Sequence, residues 1–298
     1  MIVSASYRTD IPAFYSRWFR ERLRAGHARV VNPYGGPPGI VPLKAPDAAG
    51  FVFWTRNVAP FLTVLDEVRE TTGLPFFIHL TVTGYPRALD AATIPAARAM
   101  AQIETVAARF GPGTVVWRYD PVVLTSLTPP VWHRRTFRAL CRQAADAADE
   151  VVLSVAQIYR KTARNLTAAA HAHGFTWNDP ATADKRALLT DLAAIAAEHR
   201  LKATLCGQPE LSTPGLGEAR CIDAGRLERI GGKPIAAPVK AHRPRCGCFA
   251  SRDIGAYDSC PHGCVYCYAV GSRARAGRNL GRHDPASPFL LPAARPQP

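Results

Sequence analysis

The chain has 298 residues, of which 47% are hydrophobic and 20% are charged, and its formal charge is +14. A chain of this length can bury a large core, and this hydrophobic content excludes an intrinsically disordered protein. The opening MIVSASYRTD contains no basic leader, and no run approaches the roughly 18 apolar residues of a membrane span. We therefore expect a cytoplasmic protein with no membrane partner. The basic balance allows a nucleic-acid partner, but the charge is dispersed rather than gathered in one block.

Apolar runs of strand length alternate with helix-like segments as far as residue 206. The predicted strands cover residues 2–6, 51–55, 76–82, 114–119, 151–156 and 202–206, and the predicted helices cover residues 14–25, 58–72, 94–110, 130–148 and 183–199. Apolar strands that alternate with helices are typical of a parallel sheet covered on both faces. Six such units predict an α/β fold, a partial or open (β/α)6 TIM-like barrel, with an open doubly wound sheet as the alternative. No GxGxxG or P-loop motif supports a nucleotide fold of those kinds.

Polar side chains collect just after the predicted strands. Tyr7, Arg8 and Asp10 follow the first strand, and Arg118 and Asp120 lie at the end of the fourth. In a parallel β/α barrel the carboxyl ends of the strands form the active site, so we expect these five residues to bind a cofactor or a substrate. The alternative is that they are ordinary polar loop residues or ion pairs at the mouth of the barrel.

The regular alternation of predicted strands and helices stops after residue 206, and most of the cysteines lie beyond that point. Seven of the eight cysteines follow residue 205. In a reducing compartment such cysteines are metal ligands or catalytic thiols rather than a disulfide framework. We predict a barrel core over residues 1–206, a cysteine-rich cluster-binding segment over 207–270 packed on the barrel mouth, and a disordered basic Pro-rich tail over 271–298.

The stretch CPHGCVYC places Cys260, Cys264 and Cys267 at C-x3-C-x2-C spacing, with Tyr266 before the last cysteine. Three thiolates can hold a 4Fe–4S cluster and leave one iron open. Zinc is the main competitor, but structural zinc usually takes paired C-x2-C arms, and this segment has one such arm. The spacing therefore favours an iron–sulfur cluster.

This motif resembles the signature of the radical S-adenosylmethionine superfamily, and DIGAYDSCPHGCVYCYA is similar to the C-terminus of the domain of unknown function 1848 family. The resemblance implies that S-adenosyl-L-methionine binds the open iron, that Tyr266 lies in the cofactor site, and that an external electron donor serves the cluster. In most of the superfamily the motif follows the first strand. Here SYRTD, TRN and RYDPV precede it, in an order similar to spore photoproduct lyase-like members, which implies a circular permutation of the barrel.

Four further cysteines remain: Cys206 ends the last predicted strand, and Cys221, Cys246 and Cys248 follow it. We predict that they converge on a second 4Fe–4S cluster or a zinc ion; the alternative is that some are small buried hydrophobic residues. Cys141 lies on a predicted helix and is expected in the core.

Two functions remain open from the sequence. The leading hypothesis is a radical S-adenosylmethionine enzyme whose unknown substrate is anionic or nucleotide-like, because arginines and tyrosines collect at the predicted mouth. The alternative is a non-catalytic binding protein stapled by zinc or an iron–sulfur cluster, with nucleic acid as one candidate partner.

Overall fold

The computed structural model describes residues 1–32, 35–243 and 245–292. Its centre is a sheet of eight parallel strands. In sheet order these are β10 (Ser251–Asp253), β1 (Ile2–Ala5), β4 (Gly50–Thr55), β5 (Phe76–Thr81), β6 (Val115–Val122), β7 (Glu150–Val155), β8 (Lys202–Leu205) and β9 (Gly217–Glu218). A separate antiparallel hairpin joins β2 (His27–Val30) to β3 (Gly39–Pro42). The predicted α/β class with a parallel sheet is confirmed, and the six predicted strands are β1 and β4 to β8.

Helices follow most of the strands. They are α1 (Ile11–Phe14), α2 (Ser16–Ala25), α3 (Leu62–Thr72), α4 (Ala96–Phe110), α5 (Pro130–Ala144), α6 (Arg160–His173), α7 (Thr182–Glu198), α8 (Ala224–Gly231) and α9 (Arg273–Gly281), with 3-10 turns at Ala59–Phe61 and Pro209–Leu211. The first predicted helix is split in two because Tyr15 leaves helical geometry, with φ −128° and ψ 27°. Within the described ranges, no helix combines the length and apolar character needed to cross a bilayer.

The sheet is buried on both faces, which explains why its strands are continuous apolar runs. On one face, Val3, Phe53 and Trp117 pack with the apolar sides of the surrounding helices in the larger core. On the other face, Val52 and Val116 belong to a second, smaller core. Alternate residues of each strand therefore serve different cores, as the two-residue period of a strand requires.

The second core is completed by the cysteine-rich part of the chain. Its members there are Ala219, Cys221, Ile222, Ala224, Leu227, Cys246 and Cys248. Arg226 of α8 pairs with Asp149 at 2.9 Å and Glu150 at 2.7 Å, so α8 lies at the amino end of β7. The cysteine-rich segment thus covers one face of the sheet, and α8 holds it at the end opposite to the strand carboxyl ends.

The tail is ordered as far as the structure describes it. Ser272 caps α9 through a hydrogen bond from the Arg275 amide at 3.2 Å. The indole of Trp18 donates to the carbonyl of Ser287 at 3.0 Å, and Leu290 is buried. The prediction of a disordered tail is therefore wrong for residues 271–292: a few apolar anchors and buried donors fix a segment whose overall composition is basic and rich in proline. Residues 293–298 lie outside the described residues.

Candidate functional site

A cavity of about 420 Å³ lies where the strands of the main sheet end. Residues at or just after the carboxyl ends of five different strands line it, including residues 6–10, Arg56, Asp120, Gln157 and Cys206. All of the predicted site residues lie on its walls, namely Tyr7, Arg8, Asp10, Arg118, Asp120, Cys206, Cys221, Cys246, Cys248, Cys260, Cys264, Tyr266 and Cys267. The carboxyl ends of parallel strands are the usual place for a functional site in α/β folds.

Cys260, Cys264 and Cys267 lie on one tight loop at this cavity. The amide of Cys267 donates to the carbonyl of Cys264 at 3.1 Å, which closes the turn. The three thiols lie deep in the protein yet keep some surface toward the cavity, and burial raises the pKa of each.

The loop is held against residues 89–92, in the connection between β5 and α4. The amide of Val265 donates to the carbonyl of Leu89 at 3.0 Å, and the amide of Ala92 donates to the carbonyl of His262 at 2.8 Å. Gly263 has a φ of +74°, and a Cβ there would come within 2.7 Å of the Arg273 side chain. This position therefore requires glycine, both for its backbone conformation and for space.

A buried polar network lies beneath Cys264. The carboxylate of Asp90 accepts from Arg56 Nη1 at 2.8 Å and from the hydroxyl of Tyr266 at 2.6 Å. Burial would lower the pKa of Arg56, but the charge of Asp90 and the nearby thiols raise it well above its ordinary value. Burial raises the pKa of Tyr266 well above its ordinary value, so this hydroxyl stays protonated and donates. Tyr266 thus fixes the loop from inside.

The first strand end is tied to the cysteine-rich segment by two buried pairs. Arg8 Nε lies 2.9 Å from the carboxylate of Asp253 in β10. Asp10 accepts from the amide of Ala13, from the amide of Arg56 and contacts His262 Nε2 at 2.7 Å. Arg8 and Asp10 therefore have protein partners at the cavity wall. Tyr7 lies beside them, with its ring 6.4 Å from that of Trp54.

Arg118 and Asp120 form a third buried pair, next to the other cysteines. Arg118 Nε donates to Asp120 at 3.1 Å, Arg118 Nη1 donates to Cys221 Sγ at 3.1 Å, and the guanidinium lies 5.0 Å from the ring of Trp54. Burial would raise the pKa of Asp120, but Arg118 and the hydroxyl of Ser154 lower it. This pair keeps a full negative and a full positive charge inside the protein.

The other four cysteines of the cavity wall form a second group, which consists of Cys206, Cys221, Cys246 and Cys248. The sulfurs of Cys206 and Cys221 are 3.2 Å apart. Cys246 and Cys248 are buried in the same small core as Cys221, and Cys206 packs against it. The hydrogen bond that the Cys206 thiol donates to Cys221, together with burial, raises the pKa of Cys206 well above its ordinary value. The eighth cysteine, Cys141, is fully buried in α5, as predicted.

Both cysteine groups have the donor chemistry of thiolate metal sites. Across residues 1–32, 35–243 and 245–292, no three His, Cys, Asp or Glu side chains are arranged to hold a metal ion as they stand. Metal binding would require the thiols to lose their protons, since binding is coupled to deprotonation. Cys260, Cys264 and Cys267 fit a cluster by residue type, because three thiolates can each ligate one iron.

The family model for "Domain of unknown function (DUF1848)" matches residues 2–269. The chain belongs to this family. The match spans the sheet, the cavity and both cysteine groups, and it confirms the family resemblance seen in the sequence. No curated protein matches the chain. Among solved structures, the chain is similar to a mutant of the atrazine chlorohydrolase TrzN from Arthrobacter aurescens TC1 complexed with zinc and atraton, with 11% identity and a TM-score of 0.31. That alignment covers 62% of this chain and 40% of the other, and it carries no argument about function.

Two members of the cavity network were not singled out as site residues from the sequence. Asp90 lies in the connection between β5 and α4, away from any strand end, and its partners are 34 and 176 residues distant. From the sequence, His262 inside the cysteine motif could either be exposed to solvent or hydrogen-bond a cluster sulfide. In the structure its side chain contacts Asp10. An isolated Asp in a polar loop carries no local signal of such partners.

Proposed function

We propose that this protein is a radical S-adenosylmethionine enzyme and that Cys260, Cys264 and Cys267 hold its 4Fe–4S cluster. One observation carries the proposal. Three thiols of a single loop line a cavity at the carboxyl ends of parallel strands, and the buried network of Arg56, Asp90 and Tyr266 fixes that loop. The three cysteines would hold the cluster, which would pass one electron from an external donor to bound S-adenosylmethionine and so yield methionine and a 5′-deoxyadenosyl radical for hydrogen abstraction.

The protein's own residues would position and shield this chemistry. The buried Asp90 holds Arg56 and Tyr266, and Asp10 holds His262, so the loop is fixed on two sides. A rigid loop is needed because a reactive centre must meet one substrate atom in a fixed orientation. The buried side chains of Tyr266 and His262 also restrict water at the loop.

We further propose that the main sheet curves into an open barrel whose mouth is the cavity. In a flat sheet β1 and β8 would be separated by five strand spacings, or about 24 Å at the usual spacing of neighbouring strands. Residues that follow both strands, Asp10 and Cys206, nevertheless line the same cavity. A curved sheet accounts for this proximity, and it is the geometry expected of a permuted β/α barrel.

The same cavity favours an anionic or nucleotide-like substrate. Arg118 and Arg243 bring positive charge to its wall, and Arg243 lies 5.1 Å from the ring of Tyr268. Arginine next to aromatic rings suits a planar or phosphorylated group. Since Arg8 and Asp10 are bonded within the protein, we propose that they position the loop. Arg118 and Asp120 are also paired with each other, at the part of the cavity wall beside Cys221.

Spectroscopy on reconstituted protein tests this function. Anaerobic loading with iron and sulfide, followed by reduction, should give the electron paramagnetic resonance signal of a reduced 4Fe–4S cluster. Added S-adenosylmethionine should change that signal, because it binds directly to the open iron. Cys264→Ala should lose the response, and the matched variant Cys141→Ala should keep it. A fully loaded wild-type cluster with an unchanged signal would favour the non-catalytic, metal-stapled alternative.

A further inference from the structure

The second cysteine group joins three separate parts of the chain. Cys206 follows β8, Cys221 follows β9, and Cys246 and Cys248 come from the loop before β10. The sulfurs of Cys206 and Cys221 are 3.2 Å apart, and Cys246 and Cys248 are buried with Cys221 in the same small core and line the same cavity. Four thiols that meet from three segments are the donor set of a closed structural metal site.

The spacing of the sulfurs indicates which kind of metal centre they would form. Four thiolates at about 2.3 Å from one tetrahedral ion lie about 3.8 Å from one another. The Cys206 and Cys221 sulfurs, 3.2 Å apart, need only a small outward movement to reach that spacing. A 4Fe–4S cluster gives each thiolate its own iron and spreads the four sulfurs further apart. The Cys206–Cys221 pair is therefore closer to the spacing at a single ion than to that at a cluster.

A disulfide is a poor account of the same group. A disulfide bond brings two sulfurs to about 2.05 Å, well inside the separation of Cys206 and Cys221. It would also leave Cys246 and Cys248 without a role, although both thiols are buried in the same core. The grouping of all four cysteines favours one shared metal ion.

The surroundings suit a negatively charged centre. Four thiolates on a divalent ion carry a net charge of −2. Arg118 Nη1 donates to Cys221 Sγ at 3.1 Å, and Arg243 lies near Cys206. The amide of His242 donates to Cys246 Sγ at 3.1 Å. Asp120 opposes this by pairing with Arg118, so the two arginines offset only part of the charge. Such donors stabilise metal-bound thiolates in other sites.

We propose that Cys206, Cys221, Cys246 and Cys248 bind one zinc ion in a closed tetrahedral site. Zinc is the first choice because it has no geometric preference beyond the tetrahedron and binds thiolates strongly. Binding converts four thiols to thiolates and releases four protons as the ion enters. The site would fasten the cysteine-rich segment across the second face of the sheet and would form one wall of the cavity. It is independent of the proposed radical chemistry at the other cysteines.

The test uses the full chain with Cys260, Cys264 and Cys267 replaced by Ala, which removes the cluster loop's thiols. We expect this triple variant to be colourless and to retain about one zinc per chain, as a single closed site requires. Zinc X-ray absorption should report four sulfur ligands at about 2.3 Å. Cys141→Ala in the same background should not change the zinc content. Zinc retained by the triple variant would support this site whether or not the wild-type protein has radical activity.

Three results would overturn the proposal. In the first, the triple variant purifies folded but without metal. In the second, the triple variant binds about four irons with matching sulfide. In the third, the zinc spectrum shows nitrogen or oxygen ligands. Because variants of the zinc ligands themselves could fail to fold, the wild-type protein provides the second measurement. In the zinc-loaded protein, four cysteines should be protected from a thiol-specific reagent. The zinc should be released only when the reagent modifies those four cysteines.

Discussion

His262 Nε2 lies 2.7 Å from Asp10 Oδ2, although 252 residues separate the two along the chain. The contact joins the middle of the cysteine loop to the end of the first strand. Both side chains are buried, and Asp10 also caps α1 and accepts from the amide of Arg56. One carboxylate thus fixes a helix start, a neighbouring strand end and the cluster loop.

Asp10→Asn should separate these roles. The remaining oxygen can still cap α1, but the NH2 group that replaces Oδ2 cannot accept a hydrogen bond from Arg56 or from His262. We expect the free energy of unfolding to fall by about 1.5–3 kcal/mol, the usual contribution of a hydrogen bond to a charged group. Iron retention after reconstitution should fall as well, because the loop loses an anchor. Urea unfolding and iron analysis measure both effects. The exposed control Asp47→Asn should change neither, and an unaltered Asp10→Asn protein would refute the anchoring role.

The buried pair of Arg56 and Asp90 should be far more sensitive than a surface pair. Asp90→Asn leaves the buried guanidinium without its counter-charge, which typically costs about 3–5 kcal/mol. Asp191→Asn breaks the pair with Arg134, whose side chains are 43% and 45% exposed, and surface pairs of this kind contribute about 0–1 kcal/mol. Denaturant unfolding of the two variants provides a matched comparison. Equal losses would show that the network beneath Cys264 has no special role.

The strands could be predicted from the sequence because each carries its own apolar run. β1 and β4 to β8 are buried on both faces, so hydrophobicity alone marks them. β9 and β10 could not be predicted, since they contain only two and three residues and have polar or glycine sequences. They form because each pairs with the backbone of a neighbouring strand, β9 with β8 and β10 with β1. Their formation is a tertiary effect, and local pattern does not report it.

The site was predictable to the extent that its chemistry is carried by residue type. The seven cysteines and the polar strand ends mark the cavity walls without any structure. The connection through Asp90 was not predictable, because its partners Arg56 and Tyr266 come from distant segments. Helix α6 was missed for a different reason. Its buried face consists of Thr162, Leu166 and Ala169, which is too weak an apolar stripe to stand out.

His133 should make stability depend on pH. Its Nδ1 accepts from the hydroxyl of Tyr119 at 2.8 Å, and its Nε2 lies 3.1 Å from the carbonyl of Val123, so the ring is neutral. Burial lowers the pKa of His133 to about 4. An unfolded histidine has a pKa of about 6.5, so its stabilising contribution is complete above that pH and is lost as the pH falls toward 4. The loss corresponds to about 3 kcal/mol.

The measurement compares the pH dependence of urea unfolding in wild type and His133→Gln between pH 7 and pH 4. The variant should show a shallower decline, because glutamine does not titrate. The exposed His171→Gln should keep the slope of the wild type. Parallel curves for wild type and His133→Gln would contradict the assignment of a neutral buried imidazole.

The central claim, that the Cys260, Cys264 and Cys267 loop supports radical S-adenosylmethionine chemistry, is tested most directly by product analysis. Anaerobically reconstituted and reduced protein is incubated with S-adenosylmethionine alone, and 5′-deoxyadenosine and methionine are measured by mass spectrometry. We predict slow formation of both in equal amounts by wild type and Cys141→Ala, and none by Cys264→Ala. Fully iron-loaded, reduced wild-type protein that forms no 5′-deoxyadenosine, with or without added anionic and nucleotide substrates, would contradict it.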